Sequence, residues 1–555
     1  MNKRKKNWWV YLMAASLIFG SAACSTSGST TSSVTTSNVT TSNVTANATA
    51  TASKTTYSDA TQIVLSDSKV TVNGETASTD SSAAVYTGAE IIYYHDGQDS
   101  SYGDGSDEDA HTAQEAAANT VVTITQPGTY VLSGTLSAGQ IAVDLGEDAS
   151  TDPDAVVTLV LNGVDITCTV APAVIFYNVY ECGSTDTDKA SATVDTSAAG
   201  ANVILADGSK NVVNGAYVAK IYKEGTTKKL YKFDGAFYSK MSMNISSDGA
   251  GTGSLSITGT NEGLDSELHL TINSGNISIT SQDDGINTNE DSVSVTTING
   301  GNITINAGLG SEGDGIDSNG YLVINGGTVY SMANPTSGDG GVDSDCGIYL
   351  NGGTVVAFGN RSDEIESESK QVFTDLKFAQ TQSKGAVLKV TDENGNIVYE
   401  MTAQKDFTDV VISLPELTEN STYHVYVNDV LQQYNGTGGQ GGFGGGMPGG
   451  MNGQAPADGT APQMPSDGTV PGNGTAPSAP ADGQAPSGDR PDPSAGAQGK
   501  QRPDGAQGTM PGGHGNMGDS ATATGESSTD FVITSDTHVF NNISAAQDST
   551  ASSNS

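Results

Sequence analysis

The sequence predicts an all-β chain wound as a parallel β-helix, a solenoid of short stacked strands, with a small antiparallel β cap and disordered low-complexity flanks. Three observations predict it. One phrase is written four times, from "NEGLDSELHLTINSGNISIT" at 261 to "DGGVDSDCGIYLNGGTVVAF" at 339. Asn273, Asn299, Asn325 and Asn351 recur every 26 residues, and Gly275, Gly301, Gly327 and Gly353 keep the same period. Around each Asn-x-Gly corner the apolar residues alternate with period two, the strand signal, and no helical period competes. A fixed period of this length marks a solenoid or a propeller, and it is too short for a four-stranded propeller blade.

In such a stack, identical positions of successive turns lie directly above one another. Ile272, Ile298, Ile324 and Leu350 precede the corner, and Ile277, Ile303, Val329 and Val355 follow it. Both sets are expected inside. The Asn side chains can form a hydrogen-bonded ladder, as stacked amides do in cross-β assemblies. The glycines supply the positive φ that the tight corners need.

The flanks differ in kind. Residues 1–24, "MNKRKKNWWVYLMAASLIFGSAAC", join a basic start to an apolar run and small residues before Cys24. The run is shorter than the roughly 20 residues that span a bilayer, so it reads as an export signal. Residues 25–56 are nearly all Ser, Thr, Ala, Asn and Val and read as a disordered extracellular tether. The body is placed at 57–365. Residues 366–435 read as the antiparallel cap, with a hairpin turning at Asn394-Gly395. Such a cap would cover backbone groups left unpaired at the open end of a stack. Residues 436–527, rich in Gly, Pro and Met, read as a disordered linker. A strand-like tail at 528–555 could dock back on the body. Cys168 and Cys182 could pair in an oxidising compartment, leaving Cys346 over.

The 555 residues carry 63 acidic and 23 basic side chains, a formal charge of −40. That excludes nucleic acid as a natural partner, because a polyphosphate needs a basic footprint. The acids concentrate at a second recurring corner. Asp265, Asn287, Asp317 and Asp343 each follow an apolar residue (Leu264, Ile286, Ile316, Val342), which in turn follows a glycine. Strand alternation sends the apolar residues inward and the acids outward. Glu262, Asp283, Asp284, Asp314 and Asp339 add to the cluster. Residues 241–360 contain 14 acids and no Lys or Arg.

Adjacent strands lie about 4.8 Å apart, and Ca²⁺ takes oxygen ligands at about 2.3–2.6 Å in tolerant geometry. Carboxylates on neighbouring turns can therefore share one ion. Without a cation the stack sets like charges side by side. The competing reading is a solvated acidic face that serves solubility.

The segments "GTYVLSGTLSAGQIAVDL", "VTLVLNGVDIT", "GAFYSKMSMNI", "NEGLDS", "DDGINT" and "GDGIDSNGYLVINGGTV" resemble the bacterial carbohydrate-binding domain proteins over roughly residues 60–435. That resemblance implies a right-handed, calcium-binding parallel β-helix, similar in shape to pectate lyases. It also implies binding of plant-type polysaccharides, acidic pectin or cellulose-like glucans. It places metal ligands on the carboxylates of "EGLDS", "DDGIN", "GDGID" and "DGGVD". The small residues before Cys24 resemble a bacterial lipoprotein signal, implying lipidation of Cys24 and a membrane anchor; Ser21 stands where an apolar residue is usual, and plain secretion is the alternative.

Residues 180–200 and 217–234 look like insertions. The second is basic and Tyr-rich, so Tyr222, Tyr231, Tyr238 and Lys240 are candidate sugar contacts. Three functions compete: a monomeric polysaccharide binder, a pectin lyase or hydrolase, and a calcium-stabilised adhesin. A lyase would need Lys or Arg as base, and only Lys240 and Arg361 flank the acidic region. Asp283 and Asp284 resemble the polygalacturonase Asp pair, but the Gly-His-Gly and Arg-x-Lys elements of those enzymes are missing.

Overall fold

A computed structural model describes residues 57–89, 91, 113–222, 229–438 and 527–547. The chain divides into units 1–51 and 52–555, and all described residues belong to the second. The export signal with Cys24, the tether and most of the 436–527 linker lie outside the described residues. The fold is nearly all-β. Among the described residues the only helical segments are Ala113–Ala117 and two short 3-10 turns.

Three long parallel ladders dominate. One runs through Ser254–Gly259, Asn276–Ser281, Asn302–Asn306, Thr328–Met332 and Thr354–Gly359. A second runs through Met243–Ser247, His269–Ile272, Val295–Ile298, Tyr321–Ile324 and Gly347–Leu350. The third joins Gly139–Asp144, Val174–Asn178, Gly235–Ser239, Glu262–Ser266, Ile286–Thr288 and Ile316–Ser318. Each copy of the repeated phrase contributes to these ladders in turn.

The registers explain the apolar columns. Ile245, Ile272, Ile298, Ile324 and Leu350 are Cα partners in sequence, as are Leu255, Ile277, Ile303, Val329 and Val355. Together with Leu264, Ile286, Ile316 and Val342 they form one buried core. Burying each such side chain contributes roughly 1.5–3 kcal/mol.

Two glycine columns do different work. At the Asn-x-Gly corners, Gly275, Gly301, Gly327 and Gly353 have φ between 85° and 120°, which L side chains rarely adopt. The corner glycines are also tightly stacked, a Cβ on Gly327 lying 2.6 Å from the Gly301 carbonyl oxygen, whereas Gly263, Gly285, Gly315 and Gly341 mark close approach without a positive φ. A Cβ on Gly285 would lie 2.2 Å from Ile305 Cγ2 and 2.5 Å from the Gly315 carbonyl oxygen.

Past the last repeat the pairing changes sense. Phe407–Ser413 lies antiparallel on Thr354–Gly359 and on Phe373–Gln382. Val387–Asp392 and Ile397–Thr402 form the hairpin, with Gly395 at φ 82° in its turn. A second core fills this region. The C-terminal residues supply two strands to it. Phe531–Ile533 pairs antiparallel with Ser421–Val427, and Val539–Ala545 pairs parallel with Phe373–Gln382. Phe531 and Phe540 are buried against Tyr434, with ring centroids 5.0 and 4.9 Å away.

Cys168, Cys182 and Cys346 are free thiols, so the Cys168–Cys182 pairing is not made. Cys168 is buried in the core, while the Cys182 thiol faces the Asp195 carbonyl at 3.9 Å. No described helix is long and apolar enough to cross a membrane.

Candidate metal centre

The third ladder carries the acids. Tyr238, Asp265, Asn287 and Asp317 are successive Cα partners. Asp343 follows: its N–H donates to the Ile316 carbonyl at 2.8 Å, and its own carbonyl accepts from the Ser318 N–H. The four residues expected to stack therefore do lie on neighbouring segments, pointing away from the apolar column.

Their surroundings differ from expectation. Asp265 is 0% exposed, Asn287 2% and Asp343 5%. Alternation correctly takes these side chains off the core but says nothing of what covers them. Gly235 packs so closely on Asp265 that a Cβ there would sit 2.5 Å from the Asp265 Cβ.

The acids also have more protein partners than the lack of Lys and Arg implied. Asp284 Oδ1 accepts from the Asp314 N–H, Asp314 Oδ1 from the Gly340 N–H, and Asp339 Oδ2 from the Gly313 N–H, each at 2.6 Å. Arg361, one residue beyond the cation-free stretch, donates to Asp343 Oδ1 at 2.6 Å and lies 3.1 Å from Asp363. Asp283 and Asp317 are half-buried.

The densest cluster is at the other end of the strip. Carboxylate oxygens of Asp234, Glu262 and Asp265 lie within 4.8 Å of one another, all three residues buried. Asn287 Nδ2 donates to Glu262 Oε1 at 2.9 Å, and Asn289 Nδ2 to Asp265 Oδ1 at 2.7 Å. Asp265 Oδ2 and Asn287 Oδ1 are buried and receive no hydrogen bond from the described residues. Asp234 was not among the sequence candidates. It occurs once, at the end of the irregular insertion; its only signal is the Asp-Gly dipeptide shared with Asp284-Gly285 and Asp314-Gly315.

The strip resists full ionisation. Burial, then Glu262 and Asp234, hold the Asp265 carboxyl well above the usual range. Burial, then Asp317 and Asp283, do the same to Asp284. Asp314 is pushed up to about 9 by burial and Asp343, against the pull of the Gly340 N–H. Asp343 is pushed up to about 8 by burial and Asp363, with Arg361 pulling it back. Such a strip either keeps protons or takes up a cation. Its donors are hard oxygens, some of them buried and unclaimed by any N–H of the described residues, and that donor set fits Ca²⁺.

Of the candidate sugar contacts, Tyr238 and Lys240 have described side chains. Tyr238 is fully buried, its hydroxyl bonded to Glu267 and its ring packed edge-on against Phe233 at 5.3 Å, so it offers no face to a sugar. It is the register neighbour of Asp265, which places it beneath the acidic strip. Lys240 is half-buried, and its backbone N–H donates to the Phe176 carbonyl. Tyr222 and Tyr231 belong to an antiparallel pair of strands, Val218–Tyr222 and Lys229–Phe233; their side chains lie outside the described residues.

A family model described as carbohydrate-binding domain-containing protein matches residues 118–185 and 183–387. Among solved structures, the polysaccharide lyase-like protein from C. thermocellum, a gadolinium derivative, is 22% identical. The alignment covers 53% of this chain and 89% of that chain, with a TM-score of 0.32. No curated protein matches the chain. The family match supports carbohydrate binding.

Proposed function

We propose that this chain is a non-catalytic, calcium-loaded polysaccharide-binding protein of the cell surface. Its repeats stack as rungs of a right-handed parallel β-helix. The observation that carries the reading is the acidic strip, with Asp265, Asn287 and Asp317 on consecutive parallel strands and Asp234 and Glu262 gathered beside them. The first two parallel ladders, visited once by each of the four repeats, and the third, visited by the first three, support the coil.

Asp234, Glu262, Asp265 and Asn287 would hold the ion. Bound there, Ca²⁺ supplies charge neutralisation. The chain's own residues do the rest: Asn287 and Asn289 orient the carboxylates of Glu262 and Asp265, and the close-packed glycines set the strand spacing. Because Asp265 and Asn287 are enclosed, the ion stabilises the stack rather than bridging to a ligand. The polymer is plant-type, pectic or glucan-like, as the resemblance implies. Cys24, as a lipidated residue, would anchor a monomeric chain outside the membrane.

The test is a polysaccharide panel presented to the full chain in calcium and in EDTA, with eluates assayed for shortened or unsaturated polymer. Saturable binding without product is expected. Product release would overturn the reading in favour of a lyase or hydrolase, and absence of binding in favour of an adhesin.

A further inference from the structure

A groove of about 550 Å³ runs over the second ladder, away from the acidic strip. Its floor holds Asn244, Thr271, Thr297 and Val323, which are Cα partners on four successive strands. Along it stand the corner asparagines. Asn299 Nδ2 donates to Asn273 Oδ1, Asn325 to Asn299 and Asn351 to Asn325, each at 2.9 Å. The segment 192–197, part of the insertion, also lines it. Thr196 pins that segment, its hydroxyl within 2.7 Å of both Asn244 Oδ1 and Thr271 Oγ1.

We propose that this groove binds a neutral, extended β-linked glucan chain lying along the asparagine ladder. The inference rests on the polysaccharide-binding reading and deepens it by naming the surface and the sugar class.

The chemistry argues for the class. A side-chain amide has two N–H donors and two acceptor positions. The ladder uses one donor and one acceptor of each interior Asn, and Asn299 and Asn325 are exposed, so a second N–H and a second lone pair remain for a ligand. Neighbours already fix each amide, so little side-chain freedom is lost on binding. The ladder repeats every ~4.8 Å, close to the rise per sugar of an extended β-linked chain, so successive hydroxyls can meet successive amides in step. Asp195 and Lys370 are the charged side chains in the lining. One lysine gives a polyuronate no row of cations, whereas amides and hydroxyls suit an uncharged polyol. Beyond Val323 the floor column continues to half-buried Tyr349, an aromatic at one end for a sugar's C–H face.

The experiment measures depletion of the full chain by insoluble cellulose-type glucan and its retardation by soluble polygalacturonate, both in calcium. Thr297→Trp fills the groove and leaves the ladder intact; Asn325→Ala cuts the ladder. Each variant is expected to lose at least tenfold in glucan affinity. The calcium-induced rise in melting temperature should stay unchanged, which separates lost binding from lost fold. Glucan affinity unchanged in folded Thr297→Trp and in Asn325→Ala would overturn the groove and leave the broader reading standing. Binding of polygalacturonate alone would overturn the sugar class. No binding of either polymer by the parent chain would overturn both.

Discussion

The side-chain amide of Asn325 donates to that of Asn299 at 2.9 Å, across a sequence separation of 26 residues. The same bond recurs above and below it, so one sequence period becomes one step of a ladder. A hydrogen bond of this kind contributes about 0.5–1.5 kcal/mol net. Asn325→Ala removes two and should destabilise the chain by about 1–2 kcal/mol, read from denaturant midpoints.

Gly285 should be less forgiving than Gly395 in the hairpin turn. Alanine at 285 meets Ile305 and a backbone carbonyl that cannot yield, whereas alanine at 395 meets nothing within 4 Å and bears only its φ of 82°. Gly285→Ala should cost about 1–3 kcal/mol or more, and Gly395→Ala about 1 kcal/mol. Equal losses would show that the glycine column is not packed as described.

Phe540 is fully buried although it lies beyond the Gly/Pro/Met-rich segment. Phe540→Ala should cost about 3–5 kcal/mol. A chain ended at residue 435 loses both C-terminal strands and bares their partners, so it should melt earlier and aggregate, as unpaired strand edges do. Limited proteolysis and light scattering check this.

The pH dependence of the calcium-free protein has a sign. Carboxyls in the unfolded chain titrate near 4, while folded Asp343 and Asp314 titrate at about 8 and about 9. The folded state therefore holds protons that the unfolded state has lost, and stability falls as pH rises from about 4 to about 9. His269 works the other way. Burial pushes it down to about 4, so below about 6.5 it takes up a proton in the unfolded chain first, and stability falls as pH falls. Above about 8 Lys405, pushed down to about 8 by burial, works against the carboxylates; between about pH 6.5 and 8 they dominate. Melting temperature in EDTA should decline across that window, and calcium should flatten the decline.

Much of this architecture was legible because translation along the stack turns equal sequence positions into spatial neighbours. The columns at Ile272, Asn273, Gly275 and Ile277 needed only the 26-residue period. What stacking does not repeat was not legible. Asp234 occurs once, after an irregular insertion, and completes the carboxylate cluster all the same. Alternation told which side Asp265 takes but not that Gly235 and its neighbours close over it. Tyr238 sits beside Lys240 in a basic, aromatic stretch and so reads as a sugar contact; the ladder places it under the acids instead. The alternation at 530–540 marks one strand that could dock back; that there are two, and that their partners are Ser421–Val427 and Phe373–Gln382, no local pattern reveals across the low-complexity sequence.

The most direct measurement is calorimetric titration of Ca²⁺ into the chelator-stripped full chain at pH 7, beside Asp265→Asn, with melting curves for both. The substitution removes a buried carboxyl that must stay protonated in the metal-free folded chain but ionises in the unfolded one, and it keeps an acceptor for Asn289. The account predicts saturable binding and a raised melting temperature in the parent, and in the variant a higher metal-free melting temperature with a diminished calcium response. A parent that takes up no calcium, and melts alike with and without chelator, would contradict it.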